Sequence, residues 1–159
     1  KELKNSGSLS AGANMLLDTD TIQNYGGTIQ ADENMKLLAV NDIVNTSGTI
    51  KANNIDIKSI NGSIINKRFS KAVDYSQNGT TDKKTLIGEA GSIVANNTLN
   101  MDAKDKILLI GSDLKAKNIN IKATTFKATT VQDKKELFTG DDDNYIKEKS
   151  TTHIASNID

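Results

Sequence analysis

The chain has 159 residues, with 20 Lys and Arg against 20 Asp and Glu, 36% hydrophobic and 4% aromatic residues, and no Cys, Pro or Trp. This length fits one domain, the charge balance excludes a general attraction to nucleic acid or anionic lipid, and the lack of Cys excludes disulfides, thiol catalysis and Cys-ligated zinc. No apolar run approaches the roughly 18 residues that a membrane-spanning helix needs. With so few aromatic residues, we expect a thin core of Ile, Leu and Ala.

A short string, small-x-aliphatic-x-Ala, recurs along the chain. It reads GSLSA at 7–11, GTIQA at 27–31, GTIKA at 48–52, GSIVA at 91–95 and SDLKA at 112–116. The Ala residues are therefore 20, 21, 43 and 21 residues apart. The long step corresponds either to two periods or to one period plus an insertion.

Two further strings repeat with the same period. The first reads MLL at 15–17, MKL at 35–37, IDI at 55–57, LNM at 99–101 and INI at 119–121. The second, Ile-x-Asn, occupies 22–24, 43–45 and 64–66 and loosens at 107–109 and 126–128. Because each string alternates apolar and polar residues between turn-forming ones, each predicts a short strand with one buried face. Three such strands in about 20 residues predict one coil of a parallel β-helix, an all-β solenoid.

In such a solenoid, residues one period apart lie above one another at the spacing of neighbouring strands. We therefore expect two aliphatic ladders in the interior, Leu9/Ile29/Ile50/Ile93/Leu114 and Leu17/Leu37/Ile57/Met101/Ile121. The Ala residues are expected where two sheets meet closely, and Asn24, Asn45 and Asn66 are expected to form an amide ladder at one corner. An antiparallel sandwich would not require each strand to resemble its counterpart, and a leucine-rich repeat would need a Leu-x-x-Leu string that this chain lacks.

The repeats are predicted over 1–131, with an interruption at 67–90. Here an Asn78-Gly79 pair separates two alternating runs, which predicts a β-hairpin that leaves the helix wall and returns before Gly91. The segment 67–90 has a net charge of +2, from five basic and three acidic residues. Lys67, Arg68 and Lys71 cluster at its base. Two interpretations are open: a solvated hairpin without a specific partner, or a protrusion that contacts a receptor or a neighbouring chain.

Residues 132–152 also leave the repeat and predict a second excursion or loop. Its tip carries Asp141, Asp142 and Asp143, which could attract calcium but lack the spacing of an EF-hand loop, so we interpret them as a solvated turn. Residues 153–159 resemble the start of a further, truncated coil. We therefore expect the chain to be a segment of something longer.

The residues that carry common enzyme chemistry are sparse. His153 is the single His and Arg68 the single Arg, which disfavours a Ser-His-Asp arrangement, a His-rich metal site or a lyase. Asp18, Asp20, Asp42 and Asp105 fall near one corner of successive coils and could form a carboxylate cluster, although Asp is also a preferred turn residue. We predict no catalytic, cofactor-binding or metal-binding residue and no cofactor. A carbohydrate-active parallel β-helix, of the polysaccharide lyase or hydrolase type, is the alternative.

The segments 27–45 and 91–123 resemble the repeats of filamentous haemagglutinins, the long exoproteins of bacterial two-partner secretion. The matching pattern is Gly-x-Ile-x-Ala-x-x-Asn-hydrophobic-x-Leu followed by Asp-Ile-x-Asn, and 124–152 is similar to the Thr-, Lys- and Glu-rich excursion of the more C-terminal repeats. The resemblance implies a right-handed parallel β-helix in a rod that is secreted from, or exposed on, a Gram-negative cell. It also implies a role as an adhesin or as a toxin-delivery stalk in contact-dependent growth inhibition. The expected partners are a host or neighbouring-cell receptor (protein or glycan) and an outer-membrane transporter, not nucleic acid.

Overall fold

The computed structural model describes residues 1–141 and 144–159. Within these residues there are nineteen β-strands and no helix, so none that could cross a membrane. The strands are β1 (Glu2–Asn5), β2 (Ser8–Ala11), β3 (Met15–Thr19), β4 (Thr21–Tyr25), β5 (Thr28–Ala31), β6 (Asn34–Ala39), β7 (Ile43–Thr46), β8 (Thr49–Ser59), β9 (Ile64–Lys67), β10 (Ser70–Gln77), β11 (Thr80–Ile87), β12 (Ser92–Ala103), β13 (Lys106–Ile110), β14 (Asp113–Lys115), β15 (Asn118–Lys122), β16 (Thr125–Thr129), β17 (Val131–Gly140), β18 (Tyr145–Ile154) and β19 (Asn157–Ile158).

The chain winds as a parallel β-helix of about six turns with roughly 21 residues per turn, as the repeat predicts. One wall, sheet A, has the strand order β1-β4-β7-β9-β13-β16. The second sheet, sheet B, has two segments. The first segment contains β2, β5, β8, β12, β14 and β19, and the second contains β3, β6 and β15 paired with the later parts of β8 and β12. In the middle coils β8 and β12 run through both segments of sheet B without interruption.

Both predicted aliphatic ladders are confirmed. Leu9 lies opposite Ile29, and the same column continues through Ile50, Ile93 and Leu114. The second column joins all five of its predicted members in order. The middle members of both columns are fully buried, and Ala31, Ala52 and Ala95 are buried beside them. The core is therefore a stack of small and aliphatic side chains along the axis.

The insertion explains the long step of the repeat. β12 pairs directly with β8, and Ala95 lies opposite Ala52 although the two are 43 residues apart. The coil that follows the hairpin therefore stacks directly on the coil that precedes it. The long step of 43 residues is thus one period plus an insertion. The register shifts between Ala95 and Thr98, where β12 has one more residue than β8.

The predicted Asn ladder is present and has four members. Asn24 donates from Nδ2 to Asn45 Oδ1, and Asn45 donates to Asn66 Oδ1, both at 2.8 Å. Asn5, which the sequence analysis did not include, donates to Asn24 Oδ1 at 2.8 Å. The ladder ends at Asn66, which donates to the carbonyls of Gly91 and Asp113, both at 3.0 Å. These buried amides satisfy the backbone at the corner between sheet A and sheet B.

The insertion at 67–90 is the predicted hairpin: β10 and β11 are antiparallel, and the turn residues Asn78 and Gly79 have φ values of 48° and 75°. Two consecutive positive φ values are typical of a type I′ turn, which Asn-Gly favours. Strands β17 and β18 form a second antiparallel pair. The two pairs are themselves joined, because β11 pairs with β17.

The four strands β10-β11-β17-β18 form one antiparallel sheet, which we call the lateral sheet. The sequence did not predict this joining. His153 lies opposite Gln132 within β18, so the segment that returns to the solenoid begins later than the sequence indicates, with Asn157 and Ile158 against β14.

Candidate contact surface

The four Asp residues that could have formed a carboxylate cluster do not all come together, although Asp42 and Asp105 both contact Ser63. Asp42 Oδ1 accepts a hydrogen bond from the Ser63 backbone N–H at 2.8 Å, and Asp105 Oδ2 accepts one from Ser63 Oγ at 3.0 Å. Asp20 contacts the amino group of Lys1. Asp18 lies in a different column, opposite Leu38. These contacts agree with the alternative that Asp occurs at this corner because it is a preferred turn residue.

The described residues also contain no group of three or more His, Cys, Asp or Glu side chains that could hold a metal ion. His153 is exposed, and its Nδ1 is 3.4 Å from Thr130 Oγ1. The acidic tip is only partly described: Asp142 and Asp143 lie outside the described residues. Asp141 accepts a hydrogen bond from the Asn144 backbone N–H at 2.8 Å.

Arg68 fastens the first hairpin to the solenoid. Its Nη1 donates to the Gly88 carbonyl at 2.6 Å, and its Nε donates to the Gly111 carbonyl at 3.1 Å. The Arg68 backbone N–H donates to Ile110 O at 2.9 Å. The guanidinium therefore links the end of the hairpin to the corner of the next coil, and its charge-assisted hydrogen bonds hold the lateral sheet at a fixed place on the rod.

The lateral sheet exposes apolar side chains without a core of its own. Its strands β10 and β18 are exposed along almost their whole length. Tyr75 is 56% exposed, and Tyr145 and Ile146 are each 59% exposed. Tyr145 stacks on Phe138 with ring centroids 5.6 Å apart. The register places Tyr75 and Ile146 on one face of the sheet and Tyr145 and Phe138 on the other. Both faces of this thin projection therefore present exposed apolar side chains, which is typical of contact sites rather than of a stabilising core.

Charges cross the lateral sheet in an ordered row on one face. The register places Asp74 opposite Lys83, Lys83 opposite Glu136, and Glu136 opposite Lys149. The Lys83–Asp74 ion pair measures 3.5 Å and the Lys149–Glu136 ion pair 4.0 Å. On the opposite face, Lys84 and Lys135 lie directly opposite each other. Like charges in that position destabilise a sheet, and an ion pair of Lys84 with Asp82 at 3.2 Å compensates only one member of the pair.

The sequence pointed to the first hairpin and to the charges at its base, but not to the composite surface. Lys67 and Arg68 do lie at the base, and Lys71 follows as the exposed second residue of β10, opposite Leu86. The residues that complete the surface, Phe138, Tyr145 and Ile146, come from the second excursion. The alternating stretch around Leu137 was the available signal for a second hairpin. Nothing in that stretch indicates that the second hairpin pairs with the first.

The fold and this surface together define a parallel β-helix with a lateral antiparallel sheet. Comparison with known proteins gives no match among protein-family models, curated proteins or solved structures.

Proposed function

We propose that the chain is a non-enzymatic segment of a large secreted or cell-surface bacterial exoprotein, in which the solenoid is a stiff rod and the lateral sheet is a contact surface. The observation that carries the proposal is the combination of continuous buried ladders with a projection whose apolar residues face solvent. The ladders supply rigidity and the projection supplies a surface that a partner can cover.

The mechanism is geometric. Sheet A has six strands in register, so five strand spacings give about 24 Å of rod. Each coil buries its apolar side chains only against its neighbours, so stability accumulates coil by coil. Arg68 links the first hairpin to the rod, and the β11–β17 pairing joins the two hairpins to each other, so the exposed Tyr75 and Ile146 project from a rigid base.

The likeness to filamentous haemagglutinin repeats supports a place in an adhesin or in a toxin-delivery stalk of contact-dependent growth inhibition. On this proposal the chain is part of a protein that crosses the outer membrane of a Gram-negative cell through a dedicated transporter and meets a receptor on a host or neighbouring cell. The carboxylates of Asp42 and Asp105 are engaged by Ser63, which supports a structural rather than a catalytic role for that corner.

Two measurements test the proposal. An antibody raised against the chain should label intact cells of the source bacterium or its culture medium; label that appears only after permeabilisation overturns the secreted location. Purified chain should bind target cells, and a variant with Tyr75→Ser, Tyr145→Ser and Ile146→Ser should lose that binding. A matched control is Leu16→Ser, which changes a residue that is 64% exposed on the solenoid wall.

The enzymatic alternative is tested on the same preparation. We expect no release of reducing or unsaturated ends from a panel of acidic and neutral polysaccharides. Turnover of any of them that depends on Asp42 or Asp105 would replace the rod proposal with a carbohydrate-active one.

A further inference from the structure

Three coils of the solenoid leave sheet A through an equivalent turn. Gly26, Ser47 and Gly111 occupy this turn, directly after β4, β7 and β13. The backbone N–H of each donates to the carbonyl of the last residue of the next strand in sheet A, at 2.9, 2.9 and 3.0 Å. All three residues have positive φ values, of 66°, 50° and 54°. Because this left-handed conformation is strained for a residue with a Cβ, Ser47 departs from the Gly that the other two coils use.

The hydroxyl of Ser47 bonds to both ends of the first hairpin. Ser47 Oγ accepts a hydrogen bond from the Phe69 backbone N–H at 2.8 Å and donates to the Glu89 carbonyl at 2.6 Å. Phe69 lies one residue before β10, and Glu89 lies two residues after β11. One side chain of the preceding coil therefore joins the outgoing and the returning segment of the hairpin. A Gly at this position has no group that could do so.

The returning segment leaves room for this hydroxyl. A Cβ on Gly88 would lie 2.9 Å from Ser47 Oγ and 3.1 Å from Phe69 Cβ, so a larger residue would compete with the Ser47 side chain for the same space. The Gly88 carbonyl accepts from Arg68, whose guanidinium also reaches Gly111 in the following coil. The base of the hairpin is therefore held from the coil on each side of it.

Ser47 can act as a fixed reference because its backbone belongs to the solenoid wall. Its neighbours Thr46 and Gly48 are buried, and its own N–H donates to Lys67 O within the turn. A hairpin attached only by its two covalent connections could pivot about them. Two hydrogen bonds from one rigidly held hydroxyl, one to each connection, remove that freedom.

We propose that Ser47 is a positioning residue for the contact surface. It adopts a strained backbone conformation because its hydroxyl then fixes the direction in which the lateral sheet projects from the rod. The inference rests on the proposed function in that the lateral sheet is taken as the contact surface, and it names the residue of the rod that orients this surface.

The test is a distance measurement between the rod and the hairpin. Since the chain has no Cys, spin labels can be attached at Lys36→Cys on the solenoid wall and Ser76→Cys near the hairpin tip, both exposed positions. Pulsed electron paramagnetic resonance gives the distribution of distances between the labels. Ser47→Gly and Ser47→Ala should each broaden this distribution about twofold, because the hairpin can then pivot.

Amide hydrogen exchange on the same variants reports the local bond. The Phe69 N–H loses its acceptor in both, so its exchange should become about tenfold faster. Exchange in β8 should stay constant, which shows that the solenoid remains folded. Where the proposed function holds, Ser47→Gly should also weaken binding to target cells, although the exposed apolar residues of the lateral sheet are intact.

The matched control is Gly26→Ser, which places Ser in the equivalent turn where no hairpin begins. No atom lies within 4 Å of a Cβ there, so this variant carries the backbone strain alone. It should lower the midpoint of chemical unfolding and leave the distance distribution unchanged. Equal broadening in this control would assign the effect to strain in the turn and overturn the inference.

Two further results would overturn it. One is a distance distribution in Ser47→Gly as narrow as in the parent chain. The other is a narrow distribution in Ser47→Ala alone, which would assign the role to the Cβ and not to the hydroxyl. The distance measurement involves no target cell, so failure of this inference and failure of the proposed function give different results.

Discussion

Asn45 and Gly48 form one structural unit at the corner between sheet A and sheet B. Asn45 Nδ2 donates to the Gly48 carbonyl at 2.8 Å, and a Cβ on Gly48 would lie 2.6 Å from Asn45 Oδ1 and overlap Asn24 Nδ2. Gly27 has the same relation to the amides of the previous coil, with a Cβ 2.5 Å from Asn5 Nδ2 and 2.7 Å from Asn24 Oδ1. The Gly of one string and the Asn of another therefore recur together because the amides fill the space that a side chain would need.

Gly48→Ala should destabilise the fold by about 3 kcal/mol, because the methyl group can be accommodated only by displacing buried, hydrogen-bonded amides. The measurement is chemical unfolding followed by circular dichroism. Gly12→Ala is the matched control, since no atom lies within 4 Å of a Cβ there. A loss of the same size in both variants would show that the cost does not come from the amide ladder.

Asn45→Ala should also lower the free energy of unfolding, by about 2–4 kcal/mol. The substitution leaves Asn66 Oδ1 and the Gly48 carbonyl without their Asn45 donor in a buried corner, and such groups are costly to leave unpaired. Asn34→Ala is the comparison, because Asn34 donates to Asn14 Oδ1 at 2.8 Å in an exposed ladder. Water replaces that bond, so we expect a loss below about 1 kcal/mol. Equal losses would contradict the assignment of stability to the buried ladder.

The columns of the solenoid were predictable because three local patterns agree. Alternation marks which side chain faces inward, and the period fixes which residues stack, so Ile29 and Ile50 could be placed opposite each other from the sequence. Asn5 was missed because Leu3 stands where later coils have Ile, although Leu3 does pair with Ile22. A pattern defined by residue class instead of identity would have included it.

The lateral sheet and the contacts at its base were not predictable in the same way. β11 and β17 are both mixed in polarity on both faces, so no buried stripe fixes their register, and the contact joins segments about 50 residues apart. The edge-to-face contact of Tyr25 with Phe69 joins different coils, and it follows only once the position of the hairpin base is known. Sequence periodicity specifies the repeating wall but not what the insertions do after they leave it.

Removal of the first hairpin should leave the solenoid folded. Gly88 N–H donates to Phe69 O at 2.9 Å, so the two ends already meet and a two-residue turn can replace 70–87. The hydrophobic core among the described residues contains no residue from that stretch. We expect a β-rich spectrum and a single thermal transition, whereas Ile50→Ala should cost about 2–5 kcal/mol.

Collapse of folding in the deletion variant would contradict this division between rod and projection. Because β11 is removed, the edge of β17 becomes free, and a moderate increase in self-association is the expected side effect. Light scattering at several protein concentrations measures it. A variant that remains folded and monodisperse at all concentrations would show that the exposed edge of β17 is protected in some other way.

The charge row of the lateral sheet should respond in opposite directions to two neighbouring substitutions. Glu136→Lys places like charges opposite both Lys83 and Lys149 and should destabilise the β11–β17 pairing by about 0.5–1 kcal/mol. Lys135→Glu places a carboxylate opposite Lys84 and should stabilise the same pairing by a similar amount, because it removes a like-charge pair. Amide hydrogen exchange in β11 and β17 reports both changes, and exchange in β8 should stay constant. The two effects should shrink at high salt, and changes of the same sign would show that side-chain packing, not charge, holds the two hairpins together.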